Sequence, residues 1–327
     1  MKSSRIGFLD TIGGFLILIM IDSHLEAKCW QSNFKLTGLL DFFNFFMPWF
    51  FYKSGMFYKQ KKFSDLLSKG KKKLLIPYVC FFVLSIPLFH VELAIRHDIN
   101  WTHYLLSPFK ALLLQQALDT NSPIWFLLSL FVVQVIYNFL NIKTNGNKLH
   151  SMLFLFIALF IGYGLNFCNF STPFILANVS TGLFFYGMGD LLRATGKPSF
   201  KQLWIPCGIV YLLGYFWFPS QLSMYMNRLT SGNYLLWAIM SLLGIMCING
   251  GLKYFRFNSF LDAIGRNSMS YYLFHYPIIV VVYFVCHDAC MISDTYTYFC
   301  MIAILCVSLP VLNSFVRKSN FKWLLGI

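Results

Sequence analysis

Residues 7–27 read GFLDTIGGFLILIMIDSHLEA, an apolar run of the length that an α-helix needs to cross a lipid bilayer. A helix rises about 1.5 Å per residue, so about 20 mainly apolar residues cover the hydrocarbon core. No small-residue cleavage site follows the run, and we expect it to remain as the first membrane helix. Similar runs recur along the chain, and about ten spans are predicted. They lie at 7–27, 38–58, 74–95, 123–141, 150–168, 174–193, 203–219, 233–251, 269–287 and 296–317.

The composition is that of a membrane protein. Hydrophobic residues make up 57% of the chain and charged residues 12%, whereas soluble domains carry about 25% charged residues. A net charge of +14 would suggest nucleic-acid binding in a soluble protein. Here the basic residues lie between the apolar runs, as in cytoplasmic loops. We therefore expect the lipid bilayer, and no nucleic acid, as a partner.

The distribution of Lys and Arg predicts the orientation. If the N-terminus is cytoplasmic, 20 of the 26 basic residues fall on the cytoplasmic side, five fall outside, and Lys53 lies within a span. Positive charge collects on the inner side of membrane proteins. Both termini are therefore predicted to be cytoplasmic, and the chain is expected in a bacterial inner membrane.

The sequence predicts an all-α, polytopic membrane helix bundle that forms a single domain over 1–327. A shorter amphipathic segment, 103–118, is expected to lie along the outer interface or to re-enter. Several of the nine cysteines sit in apolar runs, and the group Cys286, His287, Asp288 and Cys290 does not fit a zinc signature well. No metal site is predicted.

Polar residues inside spans are the candidates for function, because a charged group in the membrane is costly unless it is paired or hydrated. On a helix, His24 lies eleven residues after Gly13 on nearly the same face, with Asp10 close to that face and Asp22 pointing elsewhere. Alternatively, His24 is a solvated interfacial histidine and Lys53 extends to the inner headgroups. The full set is Asp10, Asp22, His24, Asp41, Asn44, Lys53, His90, Glu92 and His275.

Five segments in order resemble acyltransferase family 3, integral membrane proteins that O-acylate surface sugars and related acceptors. The resemblance covers nearly the whole chain. The segments are RIGFLD at 5–10 leading to His24, FMPWFFYKSG at 46–55, KKKLLIPY at 71–78, PIWFL at 123–127 and NSMSYYLFH at 267–275.

One position departs from the family pattern. The family has Arg or Lys eleven residues before the histidine of the first helix, and this chain has Gly13. Lys53 is predicted at a similar depth on the next, antiparallel helix. Its ammonium can take the place of the missing basic side chain, with Gly13 and Gly14 leaving room for it and Asp10 pairing with it. The alternative is that Lys53 extends to the headgroups and the site lacks this cation.

The resemblance implies an O-acyltransferase that uses acyl-CoA, most simply acetyl-CoA, as donor substrate and a glycan or lipid-linked sugar as acceptor, with no bound cofactor. A neutral imidazole can take the proton of a sugar hydroxyl or carry the acyl group transiently. The predicted catalytic residues are His24 and Asp10. Donor binding is expected from Lys53, Lys71, Lys72 and Lys73, and acceptor binding from Asp41, Glu92, Trp125 and His275. His275 can equally be a hydrogen-bonded core residue, Trp125 part of an interfacial belt, and the lysine cluster a mark of topology.

Two other functions remain open from the sequence. Intramembrane charges and prolines within spans, such as Pro48 and Pro87, also mark transporters and flippases. Many transporters contain internal repeats, and the sequence has none. A non-catalytic member of the family is the third reading, because of Gly13.

Overall fold

The computed structural model describes residues 7–30, 39–95, 101–194, 203–222, 224, 226–229, 232–251 and 259–327. Within these ranges the chain consists of helices and short connections, and contains no β-strand. The α-helices are α1 (Gly7–Trp30), α2 (Leu39–Phe42), α3 (Phe46–Met56), α4 (Phe63–Gly70), α5 (Ile76–Ile95), α6 (Trp101–Leu114), α7 (Trp125–Lys143), α8 (Lys148–Phe167), α9 (Phe174–Ala194), α10 (Trp204–Trp217), α11 (Pro219–Leu222), α12 (Tyr234–Gly251), α13 (Ser259–Arg266), α14 (Ser268–Tyr283) and α15 (Asp294–Lys318). Shorter helical turns cover Lys71–Leu75 and Phe284–Ala289 (π) and Asp119–Ile124 and Asn320–Leu325 (3₁₀).

The prediction of a polytopic helical membrane protein is confirmed. Eight helical segments of the described chain are long and apolar enough to cross a membrane. They are Gly7–Trp30, Phe63–Ala94, Leu105–Lys143, Lys148–Phe167, Phe174–Arg193, Tyr234–Gly251, Ser268–Ala289 and Asp294–Lys318. The cytoplasmic placement of the two termini stays a prediction.

Two of the ten predicted spans do not form one long continuous helix in the structure. The span predicted at 38–58 is divided into α2 and α3 by a turn at 43–45. Pro48 explains the division, because proline has no N–H to donate to the carbonyl of Asn44 and its ring clashes with that carbonyl. The span predicted at 203–219 contains α10, which has 14 residues and is shorter than the other spans. The segment predicted at 103–118 contains α6, and Leu105 and Phe109 on it are exposed.

The chain divides into two compact units. Unit 1 consists of Met1–Leu16, Asp41–Leu67 and Ser129–Arg266. Unit 2 consists of Ile17–Leu40, Ser68–Leu128 and Asn267–Ile327. The division falls within α1, so the first half of this helix belongs to unit 1 and the second half to unit 2.

Unit 1 has an aromatic core. In it α3 and α8 pack against α9, and α10 packs against α12. The backbones of α3 and α9 approach closely at Gly55, where an added Cβ would overlap the carbonyl of Tyr186. Small residues permit such close helix contacts in membrane proteins. The largest fully buried side chains are Trp49, Trp237, Tyr234, Phe45, Phe51 and Phe185.

Unit 2 is built around the 3₁₀ turn Asp119–Ile124, which contacts both α5 and α14. Thr120 donates a hydrogen bond to the carbonyl of Ser85 on α5, at 3.2 Å. Tyr272 on α14 donates to the carbonyl of Pro123. These bonds hold the start of α7 against α14, which packs in turn on α15.

Candidate active site

The first candidate cluster lies in unit 1, around the ammonium of Lys53 on α3. Its Nζ donates to the carbonyl of Leu9 at 3.1 Å and lies 3.7 Å from Oδ1 of Asp10. It also lies 5.1 Å from the ring centroid of Trp49. The side chains of Lys53 and Asp10 are only 19% and 17% exposed. Lys53 is therefore held against α1 by a carbonyl, a carboxylate and an aromatic face.

Gly13 accommodates this ammonium. A Cβ built on Gly13 would lie 3.1 Å from Nζ of Lys53 and 3.5 Å from the indole of Trp49. The predicted contacts of Lys53 with Gly13 and Asp10 are thus present in unit 1. A Cβ at position 13 would require the ammonium to shift by a few tenths of an ångström, so glycine at this position fits the present place of Lys53.

Gly14 has a different role from the predicted one. A Cβ on Gly14 would overlap the carbonyl of Leu261 on α13, and a Cβ on Gly265 would overlap the carbonyl of Asp10. The space at Gly14 is therefore filled by the backbone of α13, and the prediction that it leaves room for Lys53 is wrong. Short helix α13 packs directly on α1 because both contact positions are glycine.

Two further polar contacts in unit 1 were not predicted. The indole N–H of Trp49 donates to Oδ1 of Asn249 on α12 at 2.9 Å, which fixes the ring beneath Lys53. The hydroxyl of Thr11 donates to Asp262 on α13. Asn249 could have been noticed as an isolated amide in an apolar run. Asp262 lies between two predicted spans and offered no such signal.

The second candidate cluster lies in unit 2, where two predicted histidines meet. The rings of His24 on α1 and His275 on α14 have centroids 5.4 Å apart and are tilted by 35°. The ring of His24 also contacts Tyr276 edge to face, with centroids 5.0 Å apart. The cluster therefore combines two imidazoles and a phenol within one unit.

The tautomer of His275 follows from its hydrogen bonds. Its Nδ1 lies 2.8 Å from the carbonyl oxygen of Tyr272 and 3.1 Å from that of Tyr271. Carbonyl oxygens only accept, so the neutral ring carries its proton on Nδ1 and a lone pair on Nε2. The side chain is 0% exposed, and Nε2 has no hydrogen-bond partner among the described residues.

Other polar residues of unit 2 are fixed by partners. Nζ of Lys28 lies 3.3 Å from Oε1 of Glu92, a pair that links α1 to α5. The hydroxyl of Tyr298 on α15 donates to Asp22 at 2.5 Å. The sequence predicted Glu92 as an acceptor contact but treated Lys28 only as an outer basic residue.

The remaining predicted site residues take separate positions. Trp125 begins α7 in unit 2 and is buried, with its ring against Phe126. Asp41 lies on the short helix α2 of unit 1 and is half-buried. No group of three or more potential metal ligands occurs in the parts of the chain that the structure describes.

Lys71, Lys72 and Lys73 occupy the π-helical turn that leads into α5. Their side chains are exposed, and no ion pair to them is found within the described ranges. The C-terminal turn packs close to the backbone of Lys73, where a Cβ on Gly326 would lie 2.7 Å from the Cα of Lys73. The three ammonium groups therefore project from an anchored backbone.

These features define a multi-pass membrane protein with a buried ion pair and a histidine pair in its helices. The chain matches the family model of an acyltransferase domain over residues 6–326. It therefore belongs to acyltransferase family 3, as the five sequence segments indicated. No curated protein and no solved structure matches the chain.

Proposed function

We propose that this protein transfers an acyl group, most simply acetyl, from cytoplasmic acyl-CoA to a hydroxyl of a cell-surface or exported glycan, with His24 as general base. The proposal rests on the contact between His24 and His275 in a chain of this family. We also propose the bacterial inner membrane as its location, with the basic loops on the cytoplasmic side.

The chemistry needs a base because a sugar hydroxyl is a weak nucleophile. As its oxygen attacks the thioester carbonyl, the imidazole of His24 accepts the hydroxyl proton. The new C–O bond forms, the C–S bond breaks, and the proton passes to the departing sulfur of CoA. His24 suits this role because it is half-buried and its ring lies against that of His275.

Donor binding is assigned to the lysines. Coenzyme A carries several phosphate groups, and Lys71, Lys72 and Lys73 present three exposed ammonium groups on one helical turn. Lys53 differs from them because it is largely buried and held beside Asp10. We assign Lys53 to an anionic or carbonyl oxygen of the donor, and Asp10 to orienting Lys53.

Acceptor binding is assigned to Asp41, Glu92 and Trp125. Carboxylates accept hydrogen bonds from sugar hydroxyls, and an indole ring can pack on a sugar face. Glu92 is supported by its ion pair with Lys28 on α1, the helix that carries His24. The full burial of His275 favours an indirect role, which is developed below.

The test uses membrane vesicles from expressing cells, which contain the native acceptor, together with labelled acetyl-CoA. His24→Ala should lower label transfer to the glycan fraction by about 100-fold or more, the range for loss of a general base. His287→Ala is the matched control, because His287 stacks on Tyr283 in an exposed turn apart from the His24 contacts. Transfer at the normal rate by correctly inserted His24→Ala protein refutes the assignment.

A transporter or flippase is the second candidate, favoured by one observation. The chain breaks between α2 and α3, and interrupted helices surround the substrate sites of many transporters. Movement of a lipid-linked sugar across proteoliposomes without any acyl transfer would support this candidate and exclude the enzyme.

A further inference from the structure

We infer that His275 is a positioning residue for His24: its buried Nε2 accepts the N–H of His24 and so fixes the tautomer that can act as base. This inference deepens the proposed function and depends on it. It is carried by three features of unit 2, namely the hydrogen bonds of His275, the unpartnered nitrogen and the nearness of the two rings.

The hydrogen bonds of His275 allow it to act toward a neighbour only as a hydrogen-bond acceptor. Because Nδ1 donates to the carbonyls of Tyr271 and Tyr272, four and three residues earlier on the same helix, the ring is anchored to α14. Nε2 lies on the other side of the ring and carries a lone pair. A neutral His275 in this tautomer can only accept a hydrogen bond there.

The burial of Nε2 makes a purely structural role unfavourable. A buried acceptor without a donor costs stability, and an apolar ring of similar size would fill the same space without that cost. No described residue donates to Nε2. The atom is therefore suited to a donor that arrives by rotation of a neighbouring side chain or with a ligand.

His24 is the neighbour that can supply this donor. A nitrogen lies about 1.1 Å from the centroid of an imidazole, so rings with centroids 5.4 Å apart bring facing nitrogens to about 3.2 Å, which is hydrogen-bond distance. In the present orientation the rings are tilted by 35°, and the His24 ring contacts Tyr276 edge to face. The inferred bond forms when the His24 ring rotates to bring an N–H toward Nε2 of His275.

The bond would arrange the base for proton transfer. With one N–H of His24 given to His275, the other nitrogen carries the lone pair and can take the hydroxyl proton. When His24 becomes an imidazolium, its N–H bond to Nε2 strengthens, and the two carbonyls hold His275 in place. Asp–His pairs in hydrolases orient the base in the same way. Here a carbonyl-anchored neutral histidine takes the place of the carboxylate.

Three variants of His275 test the inference. Glutamine places its amide oxygen near the position of Nε2, whereas asparagine reaches only the position of Nδ1. We expect His275→Gln to keep kcat within about fivefold of wild type, and His275→Asn and His275→Leu to lower kcat on the order of 10- to 100-fold. KM for acetyl-CoA and for the extracted glycan fraction should stay unchanged, because only orientation is lost.

A binding measurement separates this role from direct contact with the sugar. The affinity of His24→Ala and His24→Ala/His275→Asn proteins for the same glycan fraction should be equal. Weaker binding by the double variant, a raised KM with unchanged kcat, or normal kcat in His275→Asn or His275→Leu would overturn the inference. If His24→Ala protein itself retains full activity, the proposed base is wrong. Absence of transfer by the wild-type protein would reject the proposed reaction.

Discussion

Moving the cation from α3 to α1 is the sharpest test of the Lys53 cluster. Gly13→Arg alone adds a second cation beside the ammonium of Lys53, since a Cβ at Gly13 would be 3.1 Å from Nζ. Two like charges about 4 Å apart repel by about 4 kcal/mol at an effective dielectric constant near 20. Lys53→Met alone leaves Asp10 without its partner 3.7 Å away, which costs about 3 kcal/mol. Each single change should therefore destabilise the protein and impair activity.

The double variant Gly13→Arg/Lys53→Met restores one cation beside Asp10. We expect its thermal stability in detergent to exceed that of either single variant. We expect label transfer from acetyl-CoA to the glycan to recover at least 10-fold over either one. Recovery to the full wild-type rate is not expected, because the planar guanidinium of arginine makes different hydrogen bonds from the compact ammonium of lysine.

A second double variant separates stability from function. Asp10→Asn/Lys53→Met removes both charges, and replacement of a buried ion pair by uncharged groups is often neutral for stability. This protein should melt close to wild type and yet fail to transfer the acyl group. If it is fully active, or if the folded Gly13→Arg/Lys53→Met protein is no more active than the single variants, the assignment of Lys53 to the donor is wrong.

Two further predictions concern the donor site and the contact between α1 and α13. Replacing Lys71, Lys72 and Lys73 together by glutamine should raise KM for acetyl-CoA about 10-fold at low salt with kcat unchanged. The difference should shrink as ionic strength rises, and an effect on kcat alone would contradict the assignment. Gly265→Ala should lower stability by about 1–3 kcal/mol, because the new Cβ would overlap the backbone of α1. Gly164→Ala is its control, since no atom lies within 4 Å of a Cβ there. Equal melting temperatures for the two variants would show that the close contact is absent.

The fold was largely predictable because membrane spans are encoded locally. A run of about 20 apolar residues is sufficient to indicate a membrane helix, whatever its neighbours are. The prediction was wrong in detail where a single residue changes backbone bonding. The apolar run at 38–58 shows no charge or glycine cluster at its middle, yet Pro48 divides it into α2 and α3. The break depends on the backbone N–H that Pro48 lacks, and a hydropathy profile does not detect this.

The two candidate clusters were predictable to different degrees. The contact of Lys53 with Asp10 follows from two successive antiparallel helices and equal depth, which the sequence supplies. The contact of His24 with His275 depends on which helices of the bundle are neighbours, and no periodicity in one helix determines that. Asn249 and Asp262 were missed for the same reason. Asn249 is bonded to Trp49 and Asp262 to Thr11, and both partners lie far away in the sequence.

The cluster around Lys53 also bears on whether Gly13 marks a non-catalytic protein. A lysine that merely reached toward the headgroups would extend into water and need no partner within the bundle. Lys53 instead donates to the carbonyl of Leu9, lies beside the carboxylate of Asp10 and faces the ring of Trp49. Apolar residues of similar volume would hold α3 against α1 at lower electrostatic cost, so these contacts are hard to explain by stability alone. A cation held in this way against Gly13 fits the proposed donor site, in which the basic side chain comes from α3, and it favours the proposed enzyme over a non-catalytic protein.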